Sequence, residues 1–197
     1  MSPADAPLTR ERILASAEDV IRRFGPDKAT VVDVARALGV SHAAVYKHVA
    51  TKAELRDLVV ARWADATMPP LRAIVKSSGP APRRLRKLLD ALIAVKRRRA
   101  ADDPELFTAY RTLAAGAESI TTAHVDELVS LIADVIRAGV KEGAFRKVDS
   151  AATGRALLLA TLRFHHPAHA SEWQAPNIDA EFDDLWRLLM RGLVVAK

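Results

Sequence analysis

The chain of 197 residues carries 30 Lys/Arg against 24 Asp/Glu, a formal net charge of +6; half of it is hydrophobic and only 5% aromatic. It contains no cysteine, which excludes disulfides and thiolate metal sites and suits a reducing compartment. No basic-then-apolar leader opens it, and no apolar run approaches the ~20 residues of a membrane helix, so a soluble cytoplasmic protein with no membrane partner is expected. The charge is uneven: residues 1–62 hold 10 Lys/Arg against 8 Asp/Glu, residues 63–100 hold 10 against 2, and residues 101–197 hold 10 against 14. A positive excess at one end suits a polyanion partner, although solvated helix faces produce such runs as well.

Residues 1–8, small and Pro-containing, read as a disordered lead-in. Thr9 is placed to cap a helix to Phe24, with Ile13, Ala17, Val20, Ile21 and Phe24 on one face and Gly25-Pro26 as its stop. Thr30 is the next N-cap, with Asp33 in the first turn and Val31, Val34, Ala35 and Leu38 at helical spacing. Gly39 sits where a left-handed residue ends that helix. Ser41 then caps a helix from His42 to His48, with Val45 and Val49 inward and His42, Ala43, Ala44, Tyr46, Lys47 and His48 outward. Thr51 with Glu54 forms a capping box, opening a helix at Lys52 that carries Leu55, Leu58, Val59 and Trp63 inward. A short helix, a Gly turn and a second short helix with a polar-basic outer face spell a helix-turn-helix, although caps and a Gly turn alone suit any three-helix bundle.

Pro69-Pro70 interrupts the fourth helix, whose pattern resumes to about Val75, and SSGPAP at 77–82 is a turn. Leu85, Leu88, Leu89, Leu92 and Val95 form a stripe ending in the cations Lys96 to Arg99, suited to a helix C-terminus. Asp102-Asp103-Pro104 starts a short helix through Phe107 and Tyr110. Thr121 or Thr122 opens a long one with Val125, Leu128, Ile132, Val135 and Ile136 inward. Asp149 caps a helix with small Ala152, Ala156 and Ala160 beside Leu157, Leu158 and Leu162, ended by His165-His166-Pro167. The last helix, about 178 to 194, aligns Phe182, Leu185, Trp186, Leu189 and Leu193. No useful strand alternation occurs, so the class is all-α.

Dinucleotide, P-loop, hydrolase-elbow and zincin motifs are missing from the sequence, so no catalytic residue and no cofactor is assigned. His165 and His169 have i,i+4 spacing, but Pro167 between them argues against a regular helix, and no metal site is expected; these imidazoles suit a helix end or a cavity lining.

The run ALGVSHAAVYKHVATKAEL resembles the recognition segment of the TetR family of bacterial transcriptional repressors, through Gly39-Val40-Ser41, Val45-Tyr46-Lys47-His48 and Thr51-Lys52 with Leu55. Many members have Phe and Pro or Ser where this chain has Val49-Ala50, a departure expected to alter the packing angle slightly. The resemblance covers roughly residues 9 to 60. It implies an N-terminal three-helix DNA-binding head at residues 1–50 and a larger helical effector-binding and dimerisation domain at 51–197. Thr30, Tyr46 and Lys52 are then expected on phosphates of double-stranded DNA. His42, Ala43, Ala44 and Lys47 are expected at the base edges and His48 at either, with the capping Ser41 also counted among the DNA-binding residues.

A small-molecule effector is implied in the second domain, where Trp63, Met68, Phe107, Tyr110, Phe164, His165 and Trp173 are the larger side chains able to line an apolar pocket. The last two long helices carry apolar residues on more than one side. A homodimer joined by four helices is therefore expected, with Leu158, Leu162, Leu185, Leu189 and Leu193 in its interface. Two other classes stay open from sequence: a helical enzyme with its pocket in the second half, and an architectural protein that coats DNA without sequence preference.

Overall fold

The structure, a computed structural model, describes residues 7–195, so most of the expected lead-in at 1–8 lies outside the described residues. In chain order the helices are α1 (Arg10–Phe24), α2 (Val31–Leu38), α3 (His42–Tyr46), α4 (Lys52–Asp65), α5 (Met68–Val75), α6 (Ala81–Asp102), α7 (Pro104–Ala114), α8 (Glu118–Lys141), α9 (Ser150–Ala160), α10 (Leu162–His165) and α11 (Ile178–Leu193), with a 3-10 turn at Pro167–Glu172. An isolated bridge between Phe145 and Val194 is the one extended pairing among the described residues. The all-α expectation therefore agrees with the structure. Packing divides the described chain into two compact units. One runs to Asp65 and includes Asp103–Thr121; the other is Ala66–Asp102 together with the residues from Thr122 onward.

In the first unit, local chemistry sets the helix starts. The Thr9 hydroxyl accepts the Arg12 amide at 3.2 Å, and α1 buries Ile13, Leu14, Ala17, Val20 and Ile21. Phe24, expected inward, is instead exposed under the Arg23 guanidinium, because it lies in the last turn, beyond the core. At α4 the Thr51 hydroxyl accepts the Glu54 amide at 3.0 Å, while the Glu54 carboxylate takes the amide of Ala50 at 2.7 Å. The expected box thus reaches one residue further back. Leu55, Val59, Val60 and Trp63 are buried and Leu58 is half-buried.

α7 returns to this unit and packs on α1 and α4. Asp103 caps α7 by accepting the Leu106 amide at 3.0 Å and also receives the Arg22 guanidinium at 2.7 Å. Phe107 and Tyr110 close over Trp63, with Tyr110 stacked at 5.0 Å between ring centroids. By packing, then, α4 and α7 belong with the three N-terminal helices. The sequence-based boundary at 50/51 falls between α3 and α4, because the inward face of α4 was read without knowing what covers it.

In the second unit the chain breaks at Ala66–Thr67, and Pro69-Pro70 lie in the first turn of α5. Prolines cost no hydrogen bond there, so they begin a helix where the sequence suggested an interruption. α6 buries the expected Leu85, Leu88, Leu89 and Leu92, and also Ile93 and Lys96. Lys96, expected among cations at a helix C-terminus, lies more than a turn before the end of α6 and is only 5% exposed. α8 begins at Glu118 rather than at Thr121, whose hydroxyl bonds back to the carbonyls of Ala117 and Glu118 inside the first turn instead of capping. Its buried stripe consequently runs through Leu128, Ile132, Val135 and Ile136 with Val125 turned outward. Asp149 caps α9 through the amides of Ala151 and Ala152. That helix stops at Thr161, a fully buried residue whose hydroxyl is bonded to the carbonyls of Leu157 and Leu158, and α10 restarts the chain. α11 sets Phe182 and Leu193 into the core, with Leu185, Trp186 and Leu189 packed partly against it. Gly139 is required by proximity: a Cβ there would lie 2.2 Å from the Phe145 ring and 2.8 Å from the Ala81 methyl.

Candidate nucleic-acid interface

The interface is built on α2, α3 and the start of α4. Thr30 and Asp33 form a reciprocal capping box: the Thr30 hydroxyl accepts the Asp33 amide, and the Asp33 carboxylate accepts the Thr30 amide, each at 3.2 Å. Bonds from Thr30 hold the Asp33 carboxyl below the usual carboxylate range, with Arg36 adding to the effect. Gly39 ends α2 in the left-handed conformation, φ +68°. The Val40 amide then closes on the Ala35 carbonyl at 3.0 Å, which fixes the turn into α3.

Ser41 caps α3 by accepting the Ala44 amide at 3.2 Å. Regular helix ends at Tyr46, shorter than the expected 42–48, although the amides of Lys47 and His48 still bond back to Ala43 and Val45. Val45 and Val49 are anchored in the core, so the remaining side chains are forced outward. Ser41, His42, Ala43, Tyr46, Lys47 and His48 are exposed, with Ala44 half-buried beside them. No Asp or Glu occurs from Ser41 to His48. The face is therefore neutral to basic and free of carboxylates that would repel a polyanion. Lys52 stands at the first position of α4, its ammonium donating to the Asp27 carbonyl at 2.9 Å. Thr30 is placed differently from expectation in one respect: the capping box occupies its hydroxyl in both directions. What α2 has left to offer an anion are the amides of Val31 and Val32, which by helix geometry lack an intrahelical acceptor.

The seven large side chains suggested as an effector lining separate into two groups. Trp63, Phe107 and Tyr110 form the aromatic cluster of the first unit. Met68, Phe164, His165 and Trp173 belong to the second: Phe164 packs on Phe182, and the Trp173 indole donates to the Arg163 carbonyl at 3.0 Å. His165 is buried, with its Nε2 3.2 Å from the Thr161 hydroxyl. His169 lies against Glu172 at 2.8 Å, and the exposed His166 accepts the Ala168 amide. No group of three metal-ligating side chains occurs among the described residues.

The sequence reading missed a polar pair in the second unit, the buried Lys96 Nζ and the half-buried His124 Nε2, 3.2 Å apart. Helical spacing held the signal: Lys96 lies four residues after Leu92, and His124 four before Leu128, each on a buried stripe. Of the five expected interface leucines, Leu158 and Leu193 are consumed by the chain's own core, while Leu162, Leu185 and Leu189 are half-buried. Leu159 and Leu188, 55% and 65% exposed, are the large apolar residues that α9 and α11 leave outward.

A Gly-turned pair of short helices with an exposed, acid-free second helix, carried on an all-helical chain, defines a helix-turn-helix regulator. Two family models place it more narrowly. The model described as bacterial regulatory proteins, tetR family, matches residues 13–59, and that described as tetracyclin repressor-like, C-terminal domain, matches residues 81–186, more than half the chain. The protein belongs to the TetR family of bacterial regulators. No curated protein matches it in sequence.

Solved structures share its fold. SmeT, the repressor of the Stenotrophomonas maltophilia multidrug efflux pump SmeDEF, is 19% identical over 98% of this chain and 93% of its own, with a TM-score of 0.65. A putative transcriptional regulator from Saccharomonospora viridis in complex with choline is 20% identical over 95% and 98%, with a TM-score of 0.64. The fatty acid degradation regulator FadR from Bacillus halodurans is 17% identical over 93% and 99%, with a TM-score of 0.62. Among the described residues no helix is long and apolar enough to cross a membrane.

Proposed function

We propose that the protein is a homodimeric cytoplasmic repressor, without catalytic activity, that holds a near-palindromic operator through two copies of α3 and leaves it when a small, largely apolar effector binds. The exposed face of α3 carries the reading: Val45 and Val49 pin the helix, and His42, Ala43, Ala44 and Lys47 are left toward base edges. Tyr46, Lys52 and the α2 N-terminus at Thr30 are assigned to phosphates, Ser41 to the cap that sets the helix angle, and His48 to either class of contact. Ala43 and Ala44 offer only methyl groups, for instance to thymine, so shape readout supplements few polar contacts.

Residues 1–50, with Lys52 at the start of α4, read DNA, and the rest of residues 51–197 serves effector and dimer. Exposed Leu159 and Leu188, with half-buried Leu162, Leu185 and Leu189, supply an apolar surface for a second copy, and two-fold pairing matches a two-fold site. An effector role is supported by similarly folded regulators that hold small molecules, SmeT with triclosan and the Saccharomonospora viridis protein with choline.

The test is selection of bound fragments from the source genome, followed by footprinting. Protection of a near-palindrome by a dimer is the expected result. Uniform coating of unrelated fragments would support the architectural class instead, and turnover of a small substrate without DNA dependence the enzymatic one.

A further inference from the structure

Lys96 is an ammonium in the core of the second unit with no carboxylate partner among the described residues. Among the described residues its one hydrogen-bond neighbour is His124, at 3.2 Å. The groups that act on it electrostatically are themselves basic: Arg99 lies near enough to repel it, and His165 feels its charge. Burial, with a smaller push from Arg99, lowers Lys96 to about 8, so it still carries its proton at neutral pH. His124 and His165, lowered to about 3 chiefly by burial, are neutral there and offer ring nitrogens without charge. A desolvated cation with spare donors and no counter-charge is costly to keep, and native chains accept such a group where something else completes it.

What adjoins it is apolar. A gap of about 10 Å³ in the same unit, room for little more than a water, has Leu88, Leu92, Leu128 and Leu131 among its walls, so an apolar tail would enter by moving these side chains apart. Leu92 precedes Lys96 by one helical turn on α6, and Leu128 follows His124 by one turn on α8, so gap and cation share the same two helix faces.

Resting on the effector reading above, we propose that the effector is a small organic carboxylate with an apolar tail, its carboxylate on Lys96 Nζ beside His124 and its tail inserted between the leucines of the same two helix faces. One fixed positive charge with neutral imidazoles beside it suits a monoanion. The ammonium and the carboxylate then satisfy one another in a dry site, where a charge-assisted bond is strong. A neutral analogue of the same shape would bury the same tail yet leave the cation uncompensated.

The experiment titrates the full-length protein, free of DNA, with straight-chain carboxylates of increasing length, octanoate and decanoate among them, and with the matching alcohols and alkylamines. Wild type should bind the best carboxylate at least tenfold more tightly than its alcohol and reject the amine. Lys96→Met and Lys96→Gln should lose the carboxylate preference while retaining operator affinity. Equal affinity for carboxylate and alcohol, tighter amine binding, or an unaltered preference in both Lys96 variants would overturn the proposal. Lys96-dependent carboxylate binding that leaves operator affinity unchanged supports the anion site and overturns its role as the effector site. Absence of any operator under fragment selection, by contrast, sinks the regulator reading alone.

Discussion

Replacing Lys96 by Met should make the free protein more stable, because the native fold suppresses the protonation of this side chain. The shift from 10.5 to about 8 corresponds to about 3 kcal/mol at ~1.4 kcal/mol per unit. The sign follows from proton counting. Between pH 8 and 10.5 the unfolded chain holds the proton more often than the folded one, so stability rises with pH across that window. Above 10.5 the penalty is gone, and below 8 it is present in full. Met keeps the length and flexibility of the stem, fills the same space and carries no charge. The expected result is a urea midpoint at pH 7 higher by the equivalent of about 2–3 kcal/mol, at unchanged m-value and fixed protein concentration. The advantage should shrink to about 1 kcal/mol at pH 10, where most of the wild-type penalty has been titrated away. A Lys96→Met protein less stable than wild type by the same amount at both pH values would refute the reasoning, since it would make the ammonium a net contributor to the fold.

Removing Lys52 should weaken binding to every DNA sequence alike and lower the log–log salt slope by ~0.9 for each phosphate no longer neutralised; Lys47→Ala should instead cost ~1–3 kcal/mol at the operator and relax discrimination at one base pair per half-site. Titrations on the operator and its single-base variants at several salt concentrations separate the two, and an exchange of these behaviours would reverse the assigned orientation of α3. Leu188→Arg, on a side chain 65% exposed in the single chain, should leave helix content unchanged but sediment as monomer, because a buried unpaired charge costs an interface about 3 kcal/mol or more; an intact dimer would remove Leu188 from the contact. Gly139→Ala forces a methyl against Phe145 and Ala81 and should lower stability by about 1–3 kcal/mol, with equal stability in urea showing that this neighbourhood yields freely. His124 and His165, lowered from 6.5 to about 3, should withdraw stability as pH falls from 6.5 toward 3, and an acid limb in His124→Leu as steep as that of wild type would take His124 out of that account.

The reading helices were legible because their determinants are local. Thr30 and Asp33 are three residues apart, Gly39 needs only its own backbone, and Ser41 meets the Ala44 amide one turn on. Where a residue's role depends on what packs against it, sequence spacing was ambiguous. Thr121 has the chemistry of a cap, yet its hydroxyl works inside a helix already begun at Glu118. Lys96 opens a basic run and also continues a leucine stripe; burial decided for the stripe. Leu158 and Leu159 look alike in sequence, but one is 2% exposed and the other 55%, a difference set by the close approach of α9 to α8 at Gly154. The effector candidates were chosen by size, which says nothing about the unit a side chain joins, and the aromatics therefore divided.

The return of α7 to the N-terminal unit has a consequence for how the chain is made. Synthesis delivers α1 to α4 first, but the ring face of Trp63 meets Phe107 and Tyr110, and Arg22 meets Asp103, only after the 22 residues of α6 have been added. At ~5–20 residues per second the nascent chain spends about 2–10 s with that aromatic face uncovered. A chain released early, or clipped within α6, would carry α4 without its covering and expose Trp63 to other chains. The N-terminal unit is thus finished only once α5 and α6 of the other unit have been made, which ties its completion to possession of those helices.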